Sequence, residues 1–441
     1  MIFRGMAFHK HISISHVLRN NSCHYTNHDP TRMFFFKRLF IPTKLTKLCY
    51  ALIISALMLV ILCRLHYKHK MKKLDVSSEF FQDDENQPAN FIPYDGNLRY
   101  IVRWVNPTNK IIEYVDGSRL FVMKSCSWNN CYLTDNSNIL NSFSGFSVVL
   151  FDGPDMNYFE TSKHLPKARS QHQKFVFVSG DAASSLPICN DMWNDYFNWT
   201  WTYKLDSDMV WKYIVIRDVN GKIIGPKKDM NWIKPENMLP VDSAFIMKLR
   251  TKTKIAAWFA SNCKTDSQRE NFVKELEVYL SEYNLELDIY GDCGKLNCPR
   301  VIMGRCLEML EKDYFFYLAF ENALSEDYVT DILLHALKHD TVPVVFGGAN
   351  YTRFLPDNAY LNAQEYGPEG LARRMFELMH SPSKYQKLFR WRNHYSYHSH
   401  DESPDSDNFC NLCAAANKYR FDNDLRKTNF KSWWNTKDKC K

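Results

Sequence analysis

The stretch FYLAFENALSEDYVTDILLHALKHDTVPVV, Phe316 to Val345, restricts the fold more than any other part of the chain. An apolar run ends at Phe320. A polar cluster comes next, with Glu321, Asn322, Ser325, Glu326, Asp327, Tyr328, Thr330 and Asp331. Apolar residues then recur at the helical spacing of Val329, Leu333, Ala336 and Leu337, before a second apolar run at Val342–Val345. Strand, helix and strand in this order predict a βαβ unit with parallel strands. Ligands of such units sit beyond the carboxyl ends of the strands, beside the helix N-terminus, and the polar cluster falls there. Ile332 is the exception, because it places an apolar side chain among groups that otherwise suit a polar ligand.

The same pattern extends over most of the chain. Strand-like runs occur at 100–105 (YIVRWV), 147–152 (SVVLFD) and 174–179 (KFVFVS), and a second group includes 254–261 (KIAAWFAS) and 285–291 (LELDIYG). Between the last two, DSQRENFVKELEVYLSEY places Phe272, Leu276 and Leu280 on one helical face. The pattern lapses around 231–240 (NWIKPENMLP). Two separated blocks of alternating strands and helices predict an α/β protein with two Rossmann-like domains facing a cleft. Residues 98–245 form the first, 246–400 the second, and 401–441 a C-terminal segment that holds a CxxC.

The 441 residues carry a net charge of +7, which points toward a polyanionic partner until the charge is located. Residues 1–73 hold 13 Lys/Arg against one acid, whereas the remainder holds 43 against 48. The main body is therefore mildly acidic, and a nucleic-acid partner is not expected. The basic segment surrounds LCYALIISALMLVILC, Leu48 to Cys63, an uncharged run that reads as a single membrane-spanning helix slightly shorter than the usual ~17 to 25 residues. Residues 1–47 then form a cytosolic tail, 48–64 a signal-anchor and 65–97 a stem. Ten of the thirteen cysteines lie beyond the span, as do the sequons at Asn198 and Asn350. Both features suit an oxidising lumen.

The chemistry readable from residue types alone is limited. Lys252, Lys254 and Arg269 lie near the start of a strand and the first turn of the next helix, where an arginine fork suits a diphosphate; from spacing alone they also read as solvated charges. Asp206 and Asp208 form an acid-x-acid pair that fits either a divalent metal beside a nucleotide diphosphate or a solvated turn. Cys410 and Cys413 lack a second CxxC at metal-ligand spacing. No GxGxxG, Walker lysine loop, HExxH or GxSxG occurs, which excludes the commonest dinucleotide, P-loop, zincin and hydrolase signatures.

FYLAFENALSEDYVTDILLHAL followed by VPVVFGGANYTRFLP resembles the signature of the α1,3-fucosyltransferases, and the likeness continues through VVLFDGPD, FNWTWTYKLDSD, KTKIAAWFASNCKTDSQRENFVKEL, LDIYGDC and FRWRNHY. The resemblance implies a Golgi type II membrane enzyme of GT-B fold, with its catalytic body in the lumen. It would move fucose from GDP-fucose, with inversion, to N-acetylglucosamine of a glycoprotein or glycolipid glycan. No cofactor is implied; a divalent metal is not required and at most stimulates. By the same likeness Arg269 contacts the diphosphate, and Glu321, Asn322, Tyr328, Thr330 and Asp331 belong to the donor site; Lys254 joins them as a candidate on residue type and position alone. Asp181, in FVFVSGDAASSLP, stands where the family has its proposed base; the alternative is a strand-end acid that caps the next helix. Asp331 and Ile332 depart from the family's Glu-Lys, so a catalytically weakened or inactive glycan-binding relative remains a second reading. The family arrangement also implies bonds from Cys410 and Cys413 to Cys126 and Cys131. Pairing among Cys263, Cys293, Cys298 and Cys306 stays open, with Cys263 to Cys293 the first choice. The acceptor is not specified.

Overall fold

The computed structural model describes residue 58 and residues 95–106, 117–160, 162–418, 427–436 and 440. The tail, the apolar run at 48–63 (Met58 apart) and nearly all of the stem lie outside the described residues. Among the described residues no helix is long and apolar enough to cross a membrane. The chain divides into two units, and every strand and helix named below belongs to the one that holds residues 91–441.

The first half of this unit is a sheet of six parallel strands: β1 (Arg99–Trp104), β2 (Cys131–Thr134), β3 (Phe146–Asp152), β4 (Lys174–Ser179), β5 (Trp199–Thr202) and β6 (Met209–Val210). The spatial order is β2-β1-β3-β4-β5-β6. Parallel strands are covered on both faces, and the near-continuous apolar runs of β3 and β4 reflect this. Alternate residues enter opposite layers. Tyr100, Val102, Val149, Phe151 and Phe177 belong to one, and Ile101, Val148, Leu150 and Val176 to the other.

A hairpin of β7 (Val215–Asp218) and β8 (Ile223–Gly225) leads to the second half. Here β9 (Lys254–Phe259), β10 (Leu287–Tyr290), β11 (Tyr314–Phe320), β12 (Val342–Phe346) and β13 (Leu361–Asn362) form a second parallel sheet, in the order β10-β9-β11-β12-β13. Helices α1 (Arg269–Ser281), α2 (Met303–Asp313), α3 (Ile332–Lys338) and α4 (Ala363–Met379) connect or follow these strands. On α1 the buried face is Val273, Leu276 and Leu280, with Phe272 at its margin. β14 (Tyr395–His398) then returns to pair antiparallel with β7.

The C-terminal segment is not a separate appendage. Helix α5 (Asn408–Lys418) places Phe409, Leu412 and Cys413 in one layer of the first sheet. Helix α6 (Phe430–Trp434) places Phe430 and Trp434 in the other. The helical turns joining the first sheet's strands are short, such as Arg119–Met123 and Met156–Phe159, and leave apolar strand faces that the returning chain covers. Disulfides Cys126–Cys410, Cys131–Cys413 and Cys189–Cys440 fix this return across 284, 282 and 251 residues. Cys263–Cys293 and Cys298–Cys306 brace the second half.

Candidate active site

In the second sheet the chain runs from β9 outward to β10, then returns to the opposite side of β9 as β11. This reversal opens a crevice at the carboxyl ends of β9 and β11, the usual ligand position in such sheets. Arg269 begins α1 at this point, after Gln268 in the left-handed region (φ 55°). Ser267 ties the turn to the end of β11: its Oγ donates to the Glu321 carbonyl at 2.7 Å, and its N–H to the Asn322 carbonyl at 3.1 Å. Arg269 is 8% exposed and donates through Nη1 to the Phe320 carbonyl. Its Nε is buried without a hydrogen-bond partner. A buried donor of this kind costs free energy unless a ligand or water meets it.

Glu321 lies beside this guanidinium. Its carboxyl accepts the Thr330 N–H at 2.7 Å and the Thr330 hydroxyl at 3.1 and 3.2 Å. Burial raises its pKa to about 8 despite these hydrogen bonds and the opposing charge of Arg269. Near neutral pH Glu321 is thus a neutral acid. The Arg269 charge is not cancelled and remains available to an anion.

The other sequence candidates divide between two places. Asn322 and Asp331 are exposed at the crevice end of the sheet, Asp331 directly before α3. Tyr328 is buried, with its ring edge-on to Tyr203 at 5.0 Å, so it packs into the first half's core. Ile332 is half-buried against the apolar layer that holds Leu333 and Leu337. Lys254 is not at the site. It is the first residue of β9, paired with Tyr314 at the start of β11, and its Nζ meets Asp288 at 2.7 Å. Because the strand advances ~3.3 Å per residue, this lies roughly 17 Å from the carboxyl ends. Lys252 precedes it and donates to the Glu311 carbonyl. Asp206 lies 3.6 Å from Lys228, and Asp208 accepts the Thr200 N–H and hydroxyl at 2.8 and 2.7 Å. Among the described residues no group of three or more His, Cys, Asp or Glu is placed to hold a metal ion.

Asp181 lies just past β4 at the carboxyl end of the first sheet. Burial raises its pKa. Tyr213 donates its hydroxyl to the Gly180 carbonyl at 2.9 Å. Burial, and then the charges of Asp181, Asp331 and Glu321, push up the Tyr213 phenol, so acids from both halves act on one ring. The halves also meet through Ser184 and Ser325, and through the Leu205 N–H, which donates to Asp327 at 3.2 Å. Arg353 and Lys228 neutralise Asp327. Of the sequons, Asn350 is exposed. Asn198 is 6% exposed and accepts the Phe175 N–H at 2.8 Å, so a glycan there would have to be attached before the chain folds.

Sequence reasoning missed Tyr203, Tyr213 and Ser184. Each acts through a backbone contact made by tertiary folding, for which no local pattern exists. Ser325 and Asp327 fell within the polar cluster, but their direction into the first half did not show.

The model "Fucosyltransferase, N-terminal" matches residues 96–214, and "Glycosyltransferase family 10 (fucosyltransferase) C-term" matches 249–433. Alpha-(1,3)-fucosyltransferase C of Drosophila melanogaster is 36% identical over 316 residues, covering 70% of each chain. The 4-galactosyl-N-acetylglucosaminide 3-alpha-L-fucosyltransferase FUT5 of Gorilla gorilla gorilla is 32% identical over 288 residues, covering 64% of this chain and 67% of that one. A crystal structure of α1,3-fucosyltransferase with GDP-fucose aligns over 78% of this chain and 94% of its own, with 15% identity and a TM-score of 0.43, a likeness too distant to carry weight. The two family matches divide the chain where its two sheets divide, and with the Drosophila relative they show that the chain belongs to glycosyltransferase family 10, the fucosyltransferases.

Proposed function

We propose that the chain transfers L-fucose from GDP-fucose in α1,3 linkage to N-acetylglucosamine of a glycoprotein or glycolipid glycan. The observation that carries this reading is Arg269: a buried guanidinium with an unpartnered Nε, set beside a neutral Glu321 at the carboxyl-end crevice of the second sheet. The diphosphate of the donor supplies the charge and acceptor oxygens that this arginine lacks. The acceptor approaches from the first sheet, in a GT-B arrangement. Its hydroxyl oxygen attacks the anomeric carbon, the carbon–oxygen bond to the β-phosphate breaks with inversion, and its electron pair leaves with GDP. Asp181 takes the hydroxyl proton, and burial gives it the basicity that this requires. Arg269 stabilises the charge that develops on the leaving phosphate. No resident metal enters this scheme.

The same reading places the chain in the Golgi membrane as a single-pass type II protein with a lumenal body. The five disulfides among the described residues favour this compartment. Asn350, being exposed, is the better placed of the two sequons to carry a glycan. GDP titration into the purified protein tests the donor site. Arg269→Ala should weaken GDP binding by at least tenfold, while Asp181→Asn should leave it within about twofold. Equal GDP affinity in wild type and Arg269→Ala would refute the assignment.

A further inference from the structure

Backbone groups of the loop carrying Asp181 are held by side-chain oxygens from both halves. Tyr213 donates to the Gly180 carbonyl at 2.9 Å, and Ser179 Oγ accepts the Asp181 N–H at 3.1 Å. Tyr203 Oη accepts the Ala183 N–H at 2.8 Å. Ser325 Oγ accepts the Ser184 N–H at 2.9 Å and donates to Ser184 Oγ at 2.9 Å. Ser179, Tyr203 and Tyr213 precede the second sheet in the chain. Ser325 comes from the second half, four residues beyond Glu321, and is 2% exposed.

The backbone around Ser325 is itself closely fixed. A Cβ on Gly348 would lie 2.5 Å from the Ser325 nitrogen, so this approach requires glycine. Two residues on, Asp327 sits in the left-handed region at φ 63°, held by Arg353, Lys228 and the Leu205 N–H. The loop after β11 therefore holds Thr330 through Glu321 at one end, where Glu321 also acts on Arg269 through its charge, and the Asp181 loop through Ser325 further on.

We propose that Ser325 is a positioning residue that sets the Asp181 loop from the donor side, so that the base is aligned only when the loop after β11 holds its donor-bearing shape. This rests on the fucosyltransferase reading and adds that the two half-sites are coupled through one buried hydroxyl. Deleting that hydroxyl leaves the Ser184 N–H without a partner in a buried place, and the loop relaxes toward another acceptor or water. A shift of the base on the order of 1 Å lowers transfer by about a hundredfold.

The test measures kcat and the KM for GDP-fucose with the full-length chain as wild type, Ser325→Ala, Asp181→Asn and the double variant. Ser325→Ala should lower kcat by about ten- to a hundredfold, with the donor KM within twofold. Added to Asp181→Asn, it should cause less than a further twofold loss, because its effect passes through a base already absent. Ser325→Thr, which keeps the hydroxyl, should recover most of kcat. Additive losses in the double variant, a Ser325→Ala effect confined to KM, or a failure of Ser325→Thr to recover kcat would each overturn the positioning role while leaving the fucosyltransferase reading intact. A folded wild type that releases no GDP with any acceptor would overturn both.

Discussion

Glu321 makes the electrostatics of the site testable by pH. Its carboxyl has an ordinary pKa of 4.5 and is raised to about 8 in the fold. Below 8 it is neutral and Arg269 presents its full charge to the diphosphate; above 8 it ionises, offsets the Arg269 charge and repels the donor. If the donor binds only the protonated form, the KM for GDP-fucose is multiplied by one plus the ratio of ionised to protonated Glu321. This is about 1.1 at pH 7 and about tenfold at pH 9. Glu321→Gln keeps an acceptor for the Thr330 N–H and a donor for its hydroxyl, and has no proton to lose. Its KM should stay flat where that of the wild type rises. Stability obeys the same linkage. Between pH 4.5 and 8 the unfolded chain ionises Glu321 while the folded chain does not, so folding stability is lost across that window, with a ceiling of about 5 kcal/mol. The melting temperature of Glu321→Gln should therefore gain on the wild type from pH 4.5 to 8 and then level off. Donor KM and melting temperature measured from pH 5 to 9.5 on both proteins decide the matter. Parallel pH profiles for wild type and Glu321→Gln would refute the neutral-acid argument.

Lys254→Ala should leave the donor KM within twofold and cost about 1 kcal/mol in denaturant unfolding, because it removes a half-exposed ion pair to Asp288 and a long hydrogen bond to the Tyr314 hydroxyl, both at the amino end of β9. Ile332→Lys should lower the donor KM by about ten- to a hundredfold, the worth of one charge-assisted hydrogen bond, without changing acceptor preference; a rise in KM would show a site adapted to isoleucine. Replacing Cys131 and Cys413 together by alanine should destabilise the protein by ~2 to 3 kcal/mol, read by chemical denaturation, because the neighbouring Cys126–Cys410 bond already closes the long loop and this bond closes only a short further one. Asn350→Gln should abolish an endoglycosidase-sensitive mobility shift that Asn198→Gln leaves in place.

The strands that the sequence displays most openly, β3, β4, β9 and β11, are buried on nearly every residue, so their apolar runs are continuous. β2 and β5 are four residues each and carry Thr among their apolar groups, with a Tyr in β2 as well, too short a pattern to read without neighbours. Glu321 and Thr330 are legible as a polar cluster because a strand end and a helix start bound them in the sequence, whereas spacing alone leaves Arg269 a solvated charge and only the family resemblance assigns it to the diphosphate. Lys254 was misplaced for the converse reason: a residue that begins a strand lies at the amino end of the sheet, away from the ligand crevice. The joining of the Asp181 loop to Ser325 spans 141 residues and has no local signature. Packing of the C-terminal helices on the first sheet was equally hidden, since their apolar faces match a partner far away in the chain.

Fucose transfer is most directly tested by incubating the purified wild-type protein with GDP-fucose and N-acetylglucosamine-terminated and N-acetyllactosamine glycans, then determining the mass and linkage of the products. The expected result is acceptors heavier by one fucose, joined through O3 of N-acetylglucosamine, with GDP released in equal amount, and loss of both with Asp181→Asn. A folded protein that binds these glycans but transfers no fucose to any of them would contradict fucose transfer and leave the glycan-binding relative as the correct reading.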